Sequence, residues 1–105
     1  MKLLTQEIRK KMPALYAQED KGGKAIAHVK FFTPDSSWSW FISEFDGDDL
    51  MFGLVIGHEI ELGYVSLAEL KSVKGPLGLL IERDLHFESK TLQELMNNHQ
   101  SDRGE

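Results

Sequence analysis

Cysteine is absent from this 105-residue chain. Disulfides, thiolate nucleophiles and cysteine-based zinc sites are therefore excluded, and the composition fits a reducing, cytoplasmic setting. Long apolar runs are scarce. The longest, Leu50-Met51-Phe52-Gly53-Leu54-Val55-Ile56-Gly57, falls far short of the roughly 20 residues of a bilayer span, so no membrane association is expected. The N-terminus turns polar at Thr5-Gln6-Glu7, before a signal-peptide core can form, so export is not expected either.

Positive charge is missing from the middle of the chain. Met1 to Lys30 holds seven Lys or Arg against three acids. Phe31 to Leu70 holds no Lys or Arg against eight acids, and Lys71 onward holds five bases against six acids. These segments carry +4, -8 and -1, matching the formal net charge of -5. A phosphate-binding sheet face needs Lys or Arg, so nucleic acid is not the expected partner.

What is present reads as one α+β domain over residues 1–96, followed by a frayed polar tail over 97–105. The expected architecture is a mostly antiparallel sheet of four to five strands. An N-terminal helix precedes it, and short helices follow the fourth strand and close the chain. Leu4, Ile8, Met12 and Leu15 recur at helical spacing behind a Thr5 cap, and Pro13 breaks that helix. Gln18 to Lys24 reads as a loop. Ile26–Thr33 and Trp38–Phe45 read as a hairpin across Thr33-Pro34-Asp35-Ser36-Ser37. Strand alternation places Trp38, Trp40 and Ile42 on one face and Phe41, Ser43 and Phe45 on the other.

The apolar run from Leu50 lacks polar alternation, which predicts a central strand covered on both faces. Its Gly53 and Gly57 either admit a large neighbour such as Trp38 or mark a bulge. Leu62–Val65 reads as a short fourth strand. Ser66-Leu67-Ala68-Glu69 and Thr91-Leu92-Gln93-Glu94 are capping boxes. Gly75 to Leu80 reads as an ordered apolar loop, and Ile81–Phe87 as an edge strand with Arg83 inward beside Glu44 or Glu59.

Four separated motifs carry a family resemblance. They are Lys30-Phe31-Phe32-Thr33-Pro34-Asp35-Ser36-Ser37-Trp38-Ser39-Trp40, Phe52-Gly53-Leu54-Val55, Glu61-Leu62-Gly63-Tyr64, and Gly75-Pro76-Leu77-Gly78-Leu79 with Ile81-Glu82-Arg83-Asp84. In this order they resemble a family of small uncharacterised bacterial proteins, a domain of unknown function carried on conjugative plasmids and integrated mobile elements. The resemblance implies a setting in horizontally transferred DNA. It supplies no reaction and no catalytic residues.

Several constellations contain residue types capable of chemistry. His28, His58, His86 and His99 lack zinc-ligand spacing, and no metal or cofactor is expected. Asp46-Gly47-Asp48-Asp49 lacks the calcium-loop pattern and reads as an acidic turn. Trp38, Trp40 and Phe41 would form a nucleic-acid stacking platform only with interleaved bases, which are absent, so core packing is expected. Glu82, Asp84 and His86 would share a strand face, the best candidate for general acid-base work.

Two further readings concern partners. The acids Asp35, Glu44, Asp46, Asp48, Asp49, Glu59 and Glu61 would form a negative surface docking on a basic protein partner. The run Arg9-Lys10-Lys11 would serve a weak nucleic-acid-binding module, or simply flank a helix end. A non-enzymatic binding or accessory protein is the leading expectation, with a small Glu/Asp/His enzyme as the alternative. No feature of the sequence specifies an oligomeric state.

Overall fold

A computed structural model describes residues 2–102. The elements in chain order are α1 (Gln6–Lys11), a 3-10 turn (Glu19–Lys24), β1 (Ile26–Ala27), β2 (Val29–Phe32), β3 (Ser39–Phe45), β4 (Leu50–Ile56), β5 (Ile60–Ser66), α2 (Leu67–Ser72), β6 (Glu82–Arg83), β7 (Lys90–Thr91) and α3 (Leu92–Asp102). The expected α+β class holds. Five antiparallel strands form one sheet in the order β5-β4-β3-β2-β6, and β1 and β7 pair separately.

The apolar run forms β4, but the middle of the sheet is β3. The sequence conceals this because β3 contains Ser43 and Glu44, both buried. A bulge explains their presence. Ile42 pairs with Gly53 and Glu44 with Phe52, leaving Ser43 as an extra residue. Its hydroxyl donates to the Phe52 carbonyl at 3.2 Å. The bulge reverses the alternation beyond it. Phe45 thus joins the core of Trp40 and Ile42 rather than packing beside Phe41. Gly53 is required at this point, since a side chain there would collide with the Phe41 carbonyl. Gly57 lies directly under the Trp38 ring.

The expected strand Ile26–Thr33 divides opposite the bulge. The His28 amide still donates to the Ile42 carbonyl at 2.8 Å, but β1 turns away to meet β7. Both faces of the sheet are covered. On one side, Leu3, Leu4, Phe31, Ile42, Met51 and Leu67 form a core to which Ile8 and Met12 of the N-terminal segment contribute. On the other, Ala27, Phe41, Leu54, Ile56, Leu92 and Leu95 pack together. Full burial of a side chain such as Ile42 or Leu54 stabilises the fold by about 1.5–3 kcal/mol.

The helix caps follow the sequence with two changes. Thr5 caps α1, accepting the Ile8 amide at 3.2 Å. Thr91 and Glu94 close a reciprocal box at the start of α3, at 3.1 and 3.5 Å. Ser66 caps α2 by accepting the Glu69 amide, but Asp49 completes that cap in place of Glu69. Asp49 accepts the Ser66 hydroxyl at 2.7 Å and the Ala68 amide at 2.8 Å. Helix α3 continues to Asp102, past the expected end at Met96, with a Gln93–Asn97 side-chain bond one turn apart. The remainder of the expected tail, 103–105, lies outside the described residues.

β5 spans seven residues, longer than the expected Leu62–Val65, while β6 has only two, so the expected strand Ile81–Phe87 is cut short at Asp84. Arg83 does not reach Glu44 or Glu59. Its guanidinium donates to the carbonyls of Lys2 and of Leu3, the latter at 3.0 Å. Among the described residues, no helix is long and apolar enough to cross a membrane.

Candidate functional site: a tyrosine cleft over a buried carboxylate

The bulge that buries Glu44 also aims it at the segment after α1. Glu44 is only 4% exposed. One carboxylate oxygen accepts the Tyr16 amide and the other the Gln18 amide, each at 2.9 Å. Gln18, also buried, donates to the carbonyls of Ser43 (2.9 Å) and Ile26 (3.1 Å) and accepts the Ile26 amide (2.8 Å). Burying a carboxylate and a carboxamide is costly unless their hydrogen bonds are made, and here they are made to backbone. The segment from Tyr16 to Gln18 is thereby fixed onto β3 and β1.

Tyr16 adopts a φ of 70°. The left-handed region costs a bulky residue about 1–3 kcal/mol and persists only where surrounding bonds impose it. Glu44 supplies one such bond. The Tyr16 side chain remains 59% exposed and approaches Tyr64 of β5, which is 53% exposed. The neighbouring Tyr16 hydroxyl holds the Tyr64 phenol above its ordinary value, with lesser contributions from desolvation, Tyr16's charge and the carboxylates of Glu19 and Glu44. Phe52 meets the Tyr64 ring edge-on, centroids 5.1 Å apart.

Between these groups lies a cleft of about 290 Å³. Its walls include Tyr16, Glu19, Glu44, Phe52, Leu62 and Tyr64, and among the described residues no lysine or arginine lines it. Leu62, half exposed, extends the apolar wall along β5. β5 is an outer strand of the sheet, pairing only with β4 among the described residues. Such an arrangement can hold a flat or cationic group against aromatic faces.

The acids expected to form one negative surface are distributed differently. Asp35 lies in the β2–β3 turn and Glu59 in the β4–β5 turn, at one end of the sheet. Asp46, Asp48 and Asp49 lie in the β3–β4 turn at the other end. Four of the seven are engaged within the fold. Asp35 accepts the Leu77 amide at 2.8 Å, Asp49 and Glu44 act as described, and Asp46 accepts three amides. The Asp48 amide leads in holding the Asp46 carboxyl below its ordinary range, joined by those of Asp49 and Leu50. Asp48, Glu59 and Glu61 are exposed.

Glu82, Asp84 and His86 do line one depression, of about 360 Å³, with Lys30 and Arg83. They do not share a strand face, because the chain turns at Leu85-His86. Asp84 accepts the His86 amide at 2.9 Å and faces Lys30 Nζ at 3.8 Å, so its carboxylate serves the turn and an ion pair. Trp38 and Trp40 stack 5.9 Å apart, but Trp40 and Phe41 are buried in opposite cores and present no common platform. Among the described residues, no three His, Cys, Asp or Glu side chains gather as a metal site.

Tyr16, Gln18 and Tyr64 belong to no sequence motif that marks them as site residues. The available signal was that the chain has only two tyrosines, but nothing local places them together. No curated protein and no solved structure matches the chain. Residues 3–101 match the model of a protein family of unknown function, DUF2958, and the chain belongs to that family.

Proposed function

We propose that this protein is a non-enzymatic binding module that takes a basic side chain of a protein partner into the tyrosine cleft. The observation carrying this reading is the composition of the cleft: Tyr16, Phe52 and Tyr64 as aromatic walls, Glu19 and Glu44 as carboxylates, and no basic lining residue among those described. A guanidinium or ammonium over such faces gains about 0.5–2 kcal/mol per ring as the site desolvates. Tyrosine, with tryptophan and arginine, is enriched among the residues that carry most of the binding energy at protein interfaces. The open backbone edge of β5 lies beside the cleft, and an extended partner segment can pair with it.

The exposed acids Asp48, Glu59 and Glu61 then act at longer range, steering a basic partner rather than forming the contact. The resemblance to proteins of conjugative plasmids and integrated mobile elements supplies the setting, a partner protein of horizontally transferred DNA in a bacterial cytoplasm. Peptides identical except for a central Arg, Lys, Gln or Glu test the reading by calorimetry and amide shifts. Binding in the order Arg, Lys, then Gln, with shifts at Tyr16, Leu62 and Tyr64 and loss in Tyr64→Ala, supports it. Indifference to the central residue, or binding untouched by Tyr64→Ala, overturns it.

A further inference from the structure

A second cavity, of about 420 Å³, opens on the opposite face of the sheet. Lys2, Gln6, Arg9 and Lys71 line it above leucine and isoleucine side chains of the first core. We propose that this cavity binds a phosphate-bearing small molecule, with Lys2, Arg9 and Lys71 as the cationic contacts and the apolar wall receiving the rest of the ligand.

Charge carries the argument. The three cations come from three separate stretches: the segment before α1, the last turn of α1 and the last turn of α2. A cation at a helix C-terminus favours the helix dipole, which accounts for Arg9 and Lys71 one at a time. It does not account for their convergence with Lys2 on one cavity that, among the described residues, no carboxylate lines. Among the described residues, none of the three makes an ion pair, in a protein whose net charge is negative. Like charges gathered without a counter-charge repel, and an entering dianion turns that repulsion into attraction.

The site is also built rather than improvised. The Arg9 guanidinium rests over the Phe45 ring, 5.3 Å from its centroid, so its fork is oriented before any ligand arrives. Arg83 holds the carbonyls of Lys2 and Leu3 and so fixes the wall that carries Lys2. The volume falls within the range of small-molecule sites, about 300–1,000 Å³. This placement agrees with the lack of bases in β3 to β5, since the basic groups all come from outside that stretch.

Titration with inorganic pyrophosphate and with a nucleoside monophosphate, followed by amide shifts and calorimetry, tests the proposal. Saturable shifts at Leu3, Leu4 and Ile81 are expected, with the monophosphate binding and its parent nucleoside not. Lys2→Gln and Lys71→Gln, both at exposed positions, each weaken binding by about tenfold. Arg9→Lys keeps the charge, loses the fork and weakens it less. Lys10→Gln makes the same charge change outside the cavity and leaves affinity unaltered. Absence of saturable shifts overturns the site, as does equal weakening by Lys10→Gln. A preference for duplex DNA over the small phosphates, falling steeply with salt, overturns it too, because that would be non-specific backbone binding.

Discussion

Glu44 binds the amide of Tyr16, a residue held at a φ of 70°. A buried carboxylate thus maintains a strained loop whose side chain forms one wall of the cleft. Glu44→Gln replaces one acceptor oxygen by a donor group and leaves the amide of Tyr16 or Gln18 unmet, at a cost of about 1–3 kcal/mol. A shift in denaturation midpoint at constant m-value measures it. Tyr16→Gly relaxes the backbone and changes stability by no more than about 1 kcal/mol, yet removes a cleft wall. Equal stability losses in both variants would contradict this division of roles.

Acid lowers stability through His28 before it reaches the carboxylates. Burial, and then the charge of Lys11, depresses the His28 imidazole below its ordinary value of 6.5. A depressed folded value means the unfolded chain binds the proton more readily. The stabilising contribution is present above 6.5 and is lost as pH falls through the folded value. Asp46, also depressed, adds a second loss below its ordinary 3.8. His28→Gln is expected to flatten the first step and leave the second, read from unfolding midpoints across the acid range.

At the alkaline end the sign reverses for Tyr64. Its raised value means the folded state holds the proton more tightly. The contribution is complete below the ordinary phenol value of 10.0 and is lost as pH climbs through the folded value. Tyr16→Phe removes the leading cause and returns Tyr64 toward 10.0. Phenolate absorbance reads this directly, since the chain has only two tyrosines. An unmoved titration in that variant would deny that Tyr16 acts on the Tyr64 hydroxyl.

Gly53 of β4 and Gly57, just beyond its end, are tested by alanine. At Gly57 the added methyl meets the Trp38 ring, which can shift, and the expected loss is about 1–3 kcal/mol. At Gly53 it meets the Phe41 carbonyl, which cannot shift without opening the bulge, and the loss is larger. Thermal unfolding ranks the two, and the reverse order would argue against a bulge at Ser43.

Asp35 ties the loop from Gly75 to Leu80 to the β2–β3 turn through the amides of Leu77 (2.8 Å) and Leu79 (3.4 Å). Asp35→Ala releases both, and hydrogen exchange at these amides should rise while exchange in β3 and β4 stays the same. The loss to global stability is about 1–3 kcal/mol at most, since charged acceptors of this kind contribute about that much.

Features that depend on near neighbours are legible from the residues alone. Thr5, Ser66 and Thr91 capped their helices because a hydroxyl reaches an amide three residues on. Pro13 stopped α1 because it has no N–H. The apolar run from Leu50 formed an interior strand because its side chains have no polar alternation to leave outside. Gly53 and Gly57 were legible as close-approach positions, because glycine within an apolar strand makes room for something.

The remaining features arise from contacts between distant parts of the chain. The bulge at Ser43 set β3 at the centre, turned Phe45 to the other core and buried Glu44, and a bulge depends on a partner strand rather than on local propensity. Tyr16 met Tyr64 across forty-eight positions of sequence, and Lys2, Arg9 and Lys71 met at one cavity. Asp35, Asp46 and Asp49 looked in sequence like one negative surface. Folded, they bind backbone amides at opposite ends of the sheet, because an unmet amide attracts a nearby carboxylate more strongly than bulk water holds it.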